Sequence, residues 1–148
     1  MTNSTELLYV ISGEDFASAG EASTSFKKEL ANLGVPADII RRAAIAMYEG
    51  EINMVIHAYG GTARVTVDDK DIKIVLADNG PGIKDVDLAM QAGYSTATDG
   101  IRDLGFGAGM GLPNMKKYSD EMTIETHEGE GTTVTMIVHR EPTDKPSP

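Results

Sequence analysis

The hydrophobic period of the chain changes from helical to alternating near residue 60, and that change constrains its fold most tightly. Val35-Pro36-Ala37-Asp38 reads as a helix start, because proline is tolerated in a first turn where its missing N–H is not needed. From there apolar residues recur at helical spacing. Ile45, Tyr48, Ile52, Val55, Ile56 and Tyr59 share one broad arc at about 100° per residue, which predicts the core face. Gly60-Gly61 is expected to end the helix. Residues 63–68 and 71–77 then alternate apolar and polar side chains around an Asp69-Lys70 turn, the pattern of a β-hairpin.

Polar residues interrupt that helix in a regular way. Glu49, Asn53 and His57 recur every four residues, so a carboxylate, a carboxamide and an imidazole form one stripe beside the apolar arc. Border groups of this kind are held by the core yet still face a ligand. Glu51 lies about 200° around the helix from Glu49 and reads as a solvated charge. Gly50 costs roughly 1 kcal/mol in a helix interior, which close packing would explain.

The remaining segments extend the same architecture. Leu7-Leu8-Tyr9-Val10-Ile11-Ser12 is an opening strand, and residues 17–33 are helical, with Phe26, Leu30 and Leu33 spaced by three and four before Gly34. Residues 85–91 are expected as a short helix, 92–111 as a glycine-rich loop, 112–121 as a helix, and 122–126 and 132–138 as two strands. Residues 1–139 read as one domain and 140–148, with three prolines, as a disordered tail. A chain of 148 residues suits a single domain with a real core.

Composition excludes several function classes. A formal net charge of -10 disfavours nucleic acid, and no apolar run is long enough to span a membrane. Zero cysteines leave no disulfide framework and no thiolate metal site, and the first residues lack a signal-peptide pattern, so a cytoplasmic protein is expected. The same acidity repels nucleotide phosphates at long range. Any phosphate site must therefore use backbone N–H groups, a few cations and a metal.

Two glycine clusters answer that requirement. Asp78-Asn79-Gly80-Pro81-Gly82-Ile83 follows a strand, placing a carboxylate at the strand end before a tight turn bare of bulky side chains. A carboxylate there can accept an exocyclic amine while a flat ring approaches the backbone, an arrangement suited to adenine; an ordinary strand-exit turn is the alternative. Gly105-Phe106-Gly107-Ala108-Gly109-Met110-Gly111 has glycine at every second position and precedes a helix. Its N–H groups can cradle phosphate, or the segment can serve as a flexible linker. Neither the Walker loop nor the dinucleotide fingerprint fits it.

Taken in order, the Glu49 to His57 stripe, the Asp78 to Ile83 box, the Gly105 to Gly111 box and Gly131-Thr132 resemble the GHKL ATPase and kinase superfamily with the Bergerat nucleotide-binding fold. The resemblance implies an α+β chain, a two-layer α/β sandwich whose mostly antiparallel mixed sheet carries helices on one face. By that resemblance ATP is the nucleotide, Asn53 holds Mg²⁺, and Asp78 receives the adenine amine directly and through water shared with Thr132. Gly80, Gly82 and Ile83 line the ring. Gly105, Gly107, Gly109, Met110 and Gly111 close over the phosphates as a lid, and His57 either touches phosphate or is a structural neighbour. Glu49 is the expected general base, and Arg64, Lys116 and Lys117 are available cations.

Within the superfamily, a chain of this size resembles the stand-alone anti-sigma factor and serine/threonine kinase regulators of bacterial partner switching, and Gly93-Tyr94-Ser95-Thr96-Ala97 and Gly111-Leu112-Pro113-Asn114-Met115-Lys116-Lys117 resemble the switch-kinase branch more than the sigma-binding branch. The implied activity is a serine/threonine kinase acting on a STAS-domain anti-sigma antagonist. The alternative is an anti-sigma factor or regulatory module that sequesters a sigma factor or activates a phosphatase, with nucleotide as a conformational ligand. A homodimer is compatible with either, and neither engages nucleic acid or membrane.

Overall fold

A computed structural model describes residues 4–13, 17–57, 60–78, 80, 111–127 and 131–140. Strand β1 (Thr5–Ser12) is followed by helices α1 (Glu21–Asn32) and α2 (Ala37–His57), then strands β2 (Gly60–Val67) and β3 (Asp71–Asp78). Helix α3 (Gly111–Tyr118) precedes strands β4 (Glu121–His127) and β5 (Gly131–His139). The five strands form one sheet in the order β1-β2-β3-β5-β4, and each described pairing is antiparallel. The helices lie on one face of it. This is the two-layer α+β sandwich expected from the sequence.

Local chemistry explains the boundaries. α1 ends in a Schellman motif: Gly34 takes φ 78, its N–H donates to Ala31 O, and the N–H of Val35 donates to Leu30 O. Val35 and Leu30 are both buried, which supplies the apolar contact of that motif. At the β2–β3 turn Asp68 Oδ1 accepts the N–H groups of Lys70 and Asp71, both at 2.8 Å. Alternation then places Val65, Val67, Ile72, Ile74, Val134, Met136 and Val138 under the helices.

Helix α2 is the centre of the helical layer, flanked by α1 and α3 and lying over β1, β2, β3 and β5. Its buried face differs from the arc expected from the sequence. Ile52 and Val55 are buried as expected, but Tyr48 is 42 % exposed and Ile45 is half-buried, while Ile39, Ala43, Ala46, Met47 and Met54 carry the core. The reason is that α2 is apolar around most of its circumference, so period alone does not single out a face. Ile56 and Tyr59 lie outside the described side chains. Gly60-Gly61, expected to end the helix, instead opens β2.

Two charged residues inside α2 are also buried. Glu51 is 3 % exposed and Arg42 5 %. Glu51, expected as a solvated charge, instead receives the N–H groups of Gly20, Ala22 and Ser23 at 2.9, 3.2 and 3.0 Å and the Ser23 hydroxyl at 2.7 Å. It caps the N-terminus of α1, where Gly20 has no side chain to do so and the helix dipole favours an anion. Arg42 pairs with Asp120 at 3.1 Å, tying α2 to the corner between α3 and β4.

Candidate nucleotide site

The site forms where α2 crosses the end of β3. Gly50 has no Cβ, and one built there would lie 2.2 Å from Leu76 Cδ1 and 3.4 Å from Met115 Cε. Glycine is therefore the residue that lets α2 settle onto β3 and α3, which accounts for its cost in the helix. One turn on, Met54 reaches Gly61, whose hypothetical Cβ would stand 2.6 Å from Met54 Cε and 2.9 Å from Asp78 Cα. Two glycines thus bring the helical turn that carries Glu49 and Asn53 down to the strand end that carries Asp78.

Asp78 is half-buried, and both of its described hydrogen bonds fall on Oδ1, from Gly80 N at 2.9 Å and Thr132 N at 3.2 Å. Burial raises its pKa, and those two N–H donors partly offset the rise. Thr132 reaches Asp78 through its backbone, while its hydroxyl pairs with the Thr126 hydroxyl at 2.9 Å. Among the described residues this leaves Asp78 Oδ2 as the oxygen able to accept from a ligand.

Glu49 is half-buried as well. Asn114 Nδ2 donates to its Oε1 at 3.3 Å. Burial raises the pKa of Glu49, and the Asn114 hydrogen bond opposes that rise. Asn114 projects from α3, whose Leu112 and Met115 are buried. Neither period nor spacing marks Asn114 as a site residue, although it belongs to the Gly111 to Lys117 run that carries part of the family resemblance. Asn53 lies one turn beyond Glu49 and is half-buried, and His57 is the last residue of α2, its side chain outside the described set. Gly111 opens α3. Gly82, Ile83, Gly105, Gly107, Gly109 and Met110 lie outside the described residues.

The histidine kinase-like ATPase domain family matches residues 14–138. The chain belongs to this family. An anti-sigma F factor of Caldanaerobacter subterraneus subsp. tengcongensis is 38% identical over 62% of the chain and 64% of its own length, so the match spans just under two thirds of that relative. The serine/threonine-protein kinase RsbT of Bacillus subtilis is 31% identical over 66% of the chain and 72% of its own length. Among solved structures, the RsbU and RsbW domains of a Mycobacterium tuberculosis protein superpose with a TM-score of 0.62 at 18% identity, covering 90% of this chain and 32% of that one. That likeness shows the Bergerat-type fold.

For a histidine kinase-like ATPase domain the implied nucleotide is ATP, and the residues present fit it. Asp78 keeps Oδ2 for an amine donor, and its partly desolvated setting strengthens such a hydrogen bond. Among the described residues no group of three or more His, Asp or Glu side chains converges as a metal cage. A Mg²⁺ ion bound through substrate phosphates, water and one protein oxygen needs no such cage. Also among the described residues, no helix is long and apolar enough to cross a membrane.

Proposed function

We propose that this ATPase domain is a Mg²⁺-ATP-dependent serine/threonine protein kinase of a bacterial partner-switching system, acting in the cytoplasm on a STAS-domain antagonist protein. The observation that carries the reading is Glu49, a carboxylate kept half-buried, with its pKa raised, on a rigid helix beside the nucleotide site and oriented by Asn114. A raised carboxyl pKa makes a stronger base, which is what removal of a proton from a serine or threonine hydroxyl requires. The names of its relatives, RsbT kinase and anti-sigma F factor, support the same setting.

In this reading each residue has a defined task. Bound Mg²⁺-ATP supplies the γ-phosphoryl group. Asp78 accepts the adenine amine, with Thr132 bracing its carboxylate, and Gly80, Gly82 and Ile83 border the ring. Asn53 offers its carboxamide oxygen to the metal. Gly105, Gly107, Gly109, Met110 and Gly111 cover the phosphates, and His57 borders them. Glu49 takes the acceptor hydroxyl's proton while Asn114 holds its orientation.

A second reading, an anti-sigma module that sequesters a sigma factor with nucleotide as a conformational ligand, is favoured by the anti-sigma F relative. Glu49→Gln separates the two. Loss of phosphate transfer to a STAS-domain partner, with ATP affinity retained by calorimetry, is the expected result. Transfer at an unchanged rate would remove Glu49 from the role of base, and absence of transfer in the wild type alongside nucleotide-dependent sigma binding would favour the second reading.

A further inference from the structure

We infer that the groove between α1 and α2 is the docking track for an acidic segment of the phospho-acceptor protein, and that it delivers the acceptor hydroxyl to Glu49. This inference rests on the kinase reading above. The groove has a volume of about 820 Å³ and is lined on the α2 side by Arg41, Ile45, Tyr48 and Glu49 and on the α1 side by Lys27 and Lys28. It therefore ends at the proposed base.

The stripe of α2 that lines the groove is the one the core does not cover. Arg41, Ile45 and Tyr48 succeed one another at four- and three-residue spacing, so they share a face. Tyr48 is 42 % exposed although its ring is large and apolar. Gly20 at the start of α1 keeps that ring uncrowded, since a Cβ there would stand 3.3 Å from Tyr48 Cε1. An apolar floor with an open aromatic ring suits the backbone and stem of a docked segment.

Charge names the occupant. The protein carries a formal net charge of -10, yet three exposed cations, Lys27, Lys28 and Arg41, gather at one part of this groove. Carboxylates stand toward the other part, Glu49 and Glu21. α1 and α2 run antiparallel, because Gly20 and Ser23 meet Glu51 while residues 33–36 join the opposite ends. The cations accordingly sit well removed from the base. From Arg41 to Glu49 the helix rises about 12 Å, at roughly 1.5 Å per residue. An extended segment covers that distance in about three to four residues. The partner chemistry that fits is a serine or threonine followed or preceded, three to four positions away, by aspartate or glutamate.

The test uses fluorescein-labelled peptides with one serine and either aspartates or asparagines three and four positions from it, titrated against the full chain with Mg²⁺-ATP and read by anisotropy. The aspartate peptide is expected to bind at least about tenfold more tightly than the asparagine peptide. Lys27→Ala, Lys28→Ala and Arg41→Ala combined should abolish that preference without lowering ATP affinity or melting temperature, whereas Lys27→Arg with Lys28→Arg should keep it. Equal binding of both peptides, no binding of either, a preference that survives the triple substitution, or full displacement by inorganic phosphate would each overturn the docking track. Phosphate transfer is scored separately: an acidic peptide that binds through the three cations while neither it nor any STAS-domain protein becomes phosphorylated leaves the groove standing and removes the kinase reading.

Discussion

The Ser23 hydroxyl donates to Glu51 Oε1 at 2.7 Å, joining residues 28 positions apart in the chain. With the three N–H groups that reach the same carboxylate, it fixes the start of α1 to the middle of α2. Glu51→Gln turns an amide N–H₂ toward donors that need an acceptor, a loss on the order of 3 kcal/mol. Glu49→Gln lacks that cost. The raised pKa of Glu49 means that burial disfavours its charge, so a neutral amide that still accepts from Asn114 costs nothing in stability near neutral pH. Thermal melting of the two variants should show a clear drop for Glu51→Gln and none for Glu49→Gln. The reverse order would mean the two carboxylates have been assigned the wrong tasks.

Burial raises the pKa of Glu49, and Asn114 limits that rise. Its hydrogen bond favours the carboxylate and lowers a pKa that burial raises. Asn114→Ala removes the opposing effect, so the pKa of Glu49 climbs further. The acid limb of the phosphate-transfer profile should move to higher pH, while the plateau at high pH falls less than it does in Glu49→Gln. A limb that stays in place would show that Glu49 does not govern it.

Much of this arrangement is legible in the sequence because it is local. The β2–β3 hairpin, the polar stripe on α2 and the carboxylate at the end of β3 follow from period and turn chemistry within a few residues. The tasks of Glu51 and Asn114 are not legible there because their partners are remote: Glu51 binds residues 28 to 31 positions away, and Asn114 meets Glu49 across 65. No periodicity encodes such pairs. The core face of α2 escaped for a different reason, since a helix packed on both flanks and below can be apolar at nearly every position.

Gly61 tests how closely β2 must approach the site. It pairs with Asp78 across β2 and β3, takes φ 153, and has no room for a Cβ, which would meet Ala77 O at 2.2 Å. Alanine there strains its own backbone and pushes on that of β3, together costing about 2–3 kcal/mol. Urea unfolding should register the loss, and ATP affinity should fall with it because the displaced strand carries Asp78. Unaltered stability and affinity would mean that β2 can withdraw without disturbing the site.

Asp120 holds Arg42, one of the two buried charges among the described side chains of α2. Its Oδ2 accepts from Arg42 at 3.1 Å and from the His139 N–H at 2.7 Å, and the side chains of the ion pair are 6% and 7% exposed. Asp120→Ala deprives a buried guanidinium of its carboxylate, for which about 3–5 kcal/mol is the usual cost. Chemical denaturation should show a midpoint far below that of the wild type. Substituting Arg42→Met as well should recover part of the loss, because the buried charge that had faced Asp120 is then gone. A double variant no better than Asp120→Ala would place the cost in the lost His139 N–H contact instead.

His139 gives the far end of the sheet a pH dependence of predictable sign. Its Nδ1 lies 2.6 Å from Asp71 Oδ1 and its Nε2 3.7 Å from Glu121 Oε2, with Asp120 also nearby. The Asp71 hydrogen bond raises its pKa, burial opposes the rise, and the charges of Asp120, Asp71 and Glu121 add to it. A histidine whose folded pKa is raised contributes stability that is fully present below its unfolded value of about 6.5 and is lost as pH climbs through the folded value. The ring is 39% exposed, so solvent screening keeps the effect modest. The melting temperature of the wild type should exceed that of His139→Gln most at about pH 5.5, and the gap should close on the way to about pH 8.5. Asp71→Asn should flatten the same gap, because it removes the largest cause of the raised pKa. A gap that is constant across this range, or that widens as pH rises, would rule out the imidazolium as the stabilising form.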